Sequence, residues 1–145
     1  MKTLYTAFKG KNNPSCQLVS LLQRDTLLLT NSFQGLERDI FAMAGEYERV
    51  IMLGVDKHLK NAIRLETCAE YRGERVCSAF CMKALTNKCN ELAISYQVSN
   101  QPTAYLCNAA YWHMLKKVQN TVFVHIPSTK GMSGGLMERL TELLM

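Results

Sequence analysis

The feature that most constrains this chain is the alternation of short apolar runs with longer segments of helical period along its whole length. Residues 2–8 (KTLYTAF), 26–30 (TLLLT), 49–53 (RVIML), 63–67, 94–98 (ISYQV) and 121–125 (TVFVH) each have the length and composition of a strand. Between them, Leu18, Leu21 and Leu22 form a stripe after Asn13-Pro14-Ser15, where Asn caps a helix and Pro opens it without orphaning an amide. Residues 36–47 and 78–92 follow the same period, as does the run containing Leu106, Ala110, Met114 and Val118. A closing helix starts at residue 133. Strands alternating with helices predict an α/β fold, a mainly parallel sheet sandwiched between helices in three layers. The TLLLT run reads as a strand covered on both faces.

At 145 residues the chain has the size of one domain, able to bury roughly two-thirds of its unfolded surface. No repeat or linker divides it, so residues 1–145 are read as a single domain. The net charge of +5 comes from Lys and Arg scattered from Lys2 to Arg139, which describes a solvated surface and argues against a nucleic-acid partner. No apolar run approaches the roughly 18 residues that cross a bilayer, and the first residues lack a secretory core. These features predict a cytoplasmic protein without a membrane partner. In that compartment Cys16, Cys68, Cys77, Cys81, Cys89 and Cys107 are expected to be free thiols. Cys77 and Cys81, four apart, are read as sharing a helix face, and without a close C-x₂-C pair they do not form a structural zinc site.

In open α/β sheets the chemistry gathers beyond the carboxyl ends of the strands. His125 ends the run TVFVH before Ile126-Pro127, and Cys107 stands near the start of the helix preceding it. A thiol in the first turn of a helix faces the positive end of the dipole, which favours thiolate, and a histidine nearby can take its proton. Such a pair needs a third group to orient the imidazole. Glu66, after the strand around residues 63–67, is placed for this, with Glu70 and Asp56 as alternatives. A cysteine chosen from six is nevertheless more often a small buried hydrophobe than a nucleophile.

The segment VSNQPTAYLCNAAYWHML, followed by VFVHIP, resembles the pyroglutamyl peptidase (pyrrolidone-carboxylate peptidase) family. There an SN turn leads to a nucleophilic Cys-Asn pair, and a later strand ends in His-Ile/Val-Pro. TAF followed by NPS is similar to the family's first strand end and helix start, and IRLE to its Ile-x-x-Glu. The resemblance implies Cys107 as nucleophile, His125 as general base and acid, and Glu66 as the orienting carboxylate. It further implies removal of N-terminal pyroglutamate, or cleavage of a related small amide, through a thioester with no metal or organic cofactor. Phe8, Tyr105 and Leu106 fall at the family's apolar substrate-binding positions.

The departures from the family concern recognition. The loop after the first strand is reduced to KGKNN, the Gly-Gly-Arg segment is replaced by GVDKHLKN, and the stretch after Glu66 shrinks to CAEYRGERV. A peptide or small amide is therefore the expected partner, with pyroglutamyl specificity left open. A homo-oligomer is allowed, altered wherever it would use the arm after Glu66. Two other readings remain: a binding or regulatory protein that kept the fold and lost turnover, and a thiol-based redox protein.

Overall fold

The computed structural model describes residues 1–43 and 45–145. Six strands form one sheet in the order β2-β1-β3-β8-β4-β7. They are β1 (Thr3–Phe8), β2 (Thr26–Leu29), β3 (Arg49–Val55), β4 (Ala62–Glu66), β7 (Ser95–Ser99) and β8 (Thr121–Ile126). Neighbouring strands run parallel except where β4 meets β8 antiparallel. A hairpin of β5 (Cys68–Tyr71) and β6 (Glu74–Cys77) stands apart from this sheet. The helices are α1 (Pro14–Leu22), α2 (Phe33–Phe41), α3 (Met82–Glu91), α4 (Tyr105–Lys117) and α5 (Leu136–Leu144).

Period-two alternation along the strands divides the interior into two cores. Ile51, Leu53, Ile63, Leu65, Val122 and Val124 pack with leucines of α1, α3 and α5. Leu4, Val50, Met52 and Phe123 pack on the other face with α2 and α4. The sheet is thus mainly parallel with helices on both faces, an α/β architecture in three layers. Asn13 caps α1 as its sequence predicts, its side chain accepting from the Ser15 amide at 2.9 Å, with Pro14 in the first turn.

Four expectations are corrected. The TLLLT run forms the edge strand β2, where Leu29 is buried but Leu28 is exposed, so it is not covered on both faces. Residues 78–81 are not helical, because the chain before them turns back as a hairpin and α3 begins only at Met82. The two-residue turn Arg72-Gly73 has positive φ at both positions, the geometry that matches the twist of paired strands. That hairpin sets Cys68 directly opposite Cys77, with Cα atoms 4.0 Å apart, and a disulfide joins them. These two cysteines are not free thiols, and Cys77 shares no helix face with Cys81. Cys16, Cys81, Cys89 and Cys107 are free.

Candidate active site

The residues of the candidate site come from strand positions that face α4. Val50 and Met52 point toward α4, so Gly54 shares their side of β3. Phe123 does the same on β8, which brings His125 to that side. On β4, Ile63 and Leu65 face the opposite core, so Arg64 and Glu66 face α4, and Arg64 lies across from His125 in the antiparallel pair. Three strand ends thereby deliver Gly54, Arg64, Glu66 and His125 beneath the N-terminus of α4.

Cys107 is the third residue of α4 and is half-buried. Its Sγ occupies the space over Gly54, where an added Cβ would lie 2.9 Å from the sulfur and 2.7 Å from the Phe123 ring. Gly54 is in register with His125 on the neighbouring strand, so the thiol sits beside the histidine-bearing position. Among the described residues no hydrogen bond joins Sγ to the imidazole. The N-cap, Ala104, has no side chain to satisfy the first-turn amides of α4, and Tyr105 has φ of 74° at the start of the helix.

The helix is held in place from below and from the side. The Tyr111 hydroxyl, one turn after Cys107, lies 2.8 Å from the Glu66 carbonyl. Asn108 pairs with Glu70 of β5 as another strand would, donating from Nδ2 to its carbonyl at 2.6 Å and accepting its amide at 3.0 Å. The Asn of the Cys-Asn pair therefore anchors the hairpin to the first turn of α4. Trp112 donates to the Glu74 carbonyl at 3.1 Å on the same side.

Glu66 and His125 are both buried, and Nδ1 of the imidazole lies 2.9 Å from Glu66 Oε2. A carboxylate only accepts, so Nδ1 carries a hydrogen, and in the neutral ring Nε2 is the nitrogen with the lone pair. Of the alternatives to Glu66, Glu70 meets Asn108 through its backbone while its side chain is exposed, and Asp56 bonds Arg64 rather than the imidazole. Arg64 is the residue that the sequence did not mark. Its Nε donates to Glu66 Oε2 at 2.5 Å and its Nη2 to Asp56 Oδ2 at 2.9 Å.

Cys107, His125, Arg64, Phe8, Tyr105 and Leu106 are among the residues lining one cavity of about 460 Å³. Phe8 is buried in its wall, whereas Tyr105 is 72% exposed at its edge, its ring set edge-on to Phe33. The surroundings of the thiol oppose the thiolate that the helix terminus alone would favour. Burial pushes Cys107 up to about 12, the negative charges of Glu66 and Asp56 push the same way, and Arg64 opposes them. Among the described residues no three His, Cys, Asp or Glu side chains are grouped to hold a metal ion. None of the described helices is long and apolar enough to cross a membrane.

No protein-family model and no curated protein matches the chain in sequence. Solved structures do match it in shape. The pyrrolidone carboxyl peptidase of Thermus thermophilus superposes with a TM-score of 0.79 at 18% identity, over 98% of this chain and 96% of that one. Pyroglutamyl peptidase I of Bacillus amyloliquefaciens gives 0.80 at 17% identity, over 98% and 92%. The pyrrolidone carboxyl peptidase of Thermococcus litoralis gives 0.73 at 18%, over 99% and 90%. The chain has the pyrrolidone carboxyl peptidase fold.

Proposed function

We propose that the protein is a cysteine-type hydrolase that removes N-terminal pyroglutamate, or cleaves a related small amide, with Cys107 as nucleophile, His125 as base and acid, and Glu66 as the group that orients His125. The observation carrying this reading is the buried Glu66–His125 contact at 2.9 Å, opening on the cavity that Cys107 also lines. A thiol pushed up by burial needs an acceptor for its proton close by, and Nε2 of His125 is the free lone pair of the site.

In the first half-reaction the Cys107 proton passes to His125 and the sulfur attacks the amide carbonyl carbon. The uncapped first-turn amides of α4 supply donors for the developing oxyanion. The C–N bond then breaks as His125 returns the proton to the leaving amine, and a thioester remains on Cys107. In the second half-reaction His125 takes a proton from water, the hydroxide adds to the thioester, and the C–S bond breaks as His125 returns that proton to the sulfur, releasing the acid and restoring the thiol. The imidazolium formed in each half faces the Glu66 carboxylate throughout.

Phe8, Tyr105 and Leu106 offer apolar surface to a small flat acyl group. We infer a cytoplasmic setting. Purified protein is expected to release the reporter from a pyroglutamyl amide or from a member of a panel of N-blocked amides. Mass spectrometry of the quenched reaction should find the acyl group on Cys107. Failure of every substrate, together with indifference of Cys107 to a thiol probe, would sink the hydrolase reading. A melting-temperature rise with ligand that persists in Cys107→Ala, without product from the wild type, would instead assign a binding protein.

A further inference from the structure

Arg64 sits where the acid–base chemistry of the site is set. Its guanidinium bridges the two carboxylates, Nε on Glu66 Oε2 at 2.5 Å and Nη2 on Asp56 Oδ2 at 2.9 Å. His125 Nδ1 and Arg64 Nε converge on that same Glu66 oxygen, while Oε1 is buried without a partner among the described residues. Nη2 lies only 3.5 Å from Nδ1, so the cation stands against the imidazole edge. Arg64 is not a distant surface charge. Its side chain is 18% exposed and lines the same cavity as Cys107.

We propose that Arg64, held by Asp56, is a positioning residue that fixes Glu66 under His125 and sets the pH window in which the Cys107–His125 pair is reactive. This rests on the hydrolase reading above. The charged and titratable groups facing the pair are Arg64 and Glu66 from β4, and Asp56, Lys57 and His58 from the segment after β3. Arg64 is the cation in direct contact with the cluster, and it is the charge that holds the Cys107 thiol down against Glu66 and Asp56. Removing it makes the cluster more negative, so every proton in it is harder to lose. Removing Asp56 does the reverse and frees the guanidinium of one partner. The two substitutions therefore act with opposite sign, which a loss of packing would not do.

The test is the pH profile of Cys107 carboxamidomethylation by iodoacetamide, read peptide by peptide in the folded full chain. Arg64→Met should move the midpoint up by about one pH unit, about tenfold slower reaction on the acid side. Asp56→Asn should move it down by about half a unit. Arg64→Lys should keep the wild-type midpoint, because the charge stays, yet lower turnover, because a single ammonium does not hold both carboxylates. Midpoints that stay put, or that move the same way in Arg64→Met and Asp56→Asn, would overturn the proposal. If Arg64→Met does not fold, the direction given by Asp56→Asn decides alone. A wild-type profile identical to that of His125→Ala would mean there is no pair to tune. That outcome removes the hydrolase reading itself, whereas a cooperating pair indifferent to Arg64 removes only this inference.

Discussion

On the face covered by α1, α3 and α5, strands β3, β4 and β8 present Ile51, Leu53, Ile63, Leu65, Val122 and Val124, every one buried. One residue along, the same strands turn Gly54, Arg64, Glu66 and His125 toward α4. The first face is closed by side chains that need only volume and shape. The second, past its own apolar stretch of Val50, Met52 and Phe123, leaves a gap at Gly54 for a sulfur and ends in groups that need partners. Because neighbouring residues on a strand point to opposite faces, stability and chemistry are interleaved in sequence yet separated in space. The separation can be tested one residue at a time.

Leu65, between Arg64 and Glu66, has no exposed surface and packs in the apolar face. Leu65→Ala should cost about 3 kcal/mol of folding stability, measured by denaturant unfolding. Below its melting temperature it should leave the Cys107 alkylation profile where it was. A profile displaced as in the Arg64 or Glu66 variants would show that the two faces are not independent.

His125→Ala is the corresponding cut on the other face. Without Nε2 the Cys107 thiol loses its proton acceptor, while burial, Glu66 and Asp56 go on pushing it up. Alkylation of Cys107 at neutral pH should fall by about a hundredfold, and that of Cys16 and Cys81 should not change. Equal rates for Cys107 in the two proteins would separate the residues chemically, whatever their shared cavity.

The hairpin supplies the next smaller effect. Its disulfide closes a loop of sequence separation 9 and lies on the α4 side, outside the main sheet. Reduction, or Cys77→Ser, should lower stability by about 2 kcal/mol. It should leave Cys107 reactivity nearly constant, since Asn108 and Trp112 still tie the hairpin to α4. A large loss of Cys107 reactivity on reduction would make the hairpin part of the site.

The apolar face was legible in the sequence because a run such as RVIML or TVFVH announces burial directly, and Asn13-Pro14 announces a helix start by its chemistry. The places of Cys107 near a helix start and His125 near a strand end were legible from those runs, while their reading as a pair comes from the resemblance carried by VSNQPTAYLCNAAYWHML and VFVHIP. Arg64 was not. Its role needs β4 to run antiparallel beside β8, and nothing in the run AIRLE says which strand it will meet. The hairpin was lost for a related reason. Each of its strands is four residues long, and Arg72-Gly73 is a short turn signal beside the stronger helical period that follows. Cys68 and Cys77 are read as free thiols from the inferred compartment, and the pairing that overturns this depends on that turn. The apolar run TLLLT could not reveal an edge, since composition reports burial and not the order of strands.

Glu66→Gln gives the smallest and most discriminating change, because the carboxylate acts in two opposed ways. Its charge pushes the Cys107 thiol up, so removing it should bring the alkylation midpoint to lower pH, the opposite of Arg64→Met. Its Oε2 also fixes Nδ1 at 2.9 Å and faces the imidazolium formed during turnover. Losing that partner should lower the rate on the plateau, and product release at neutral pH, by about tenfold. The side chain keeps its size and can still accept from Nδ1 through its amide oxygen, so the loss stays below that of His125→Ala. Alkylation across pH separates the two effects, a midpoint displaced to the acid side with a lower plateau. A midpoint moved to higher pH would mean that Glu66 favours the thiolate through the His125 imidazolium more than its charge opposes it, whereas an unchanged plateau and unchanged product release would mean that the orienting role has to be given up.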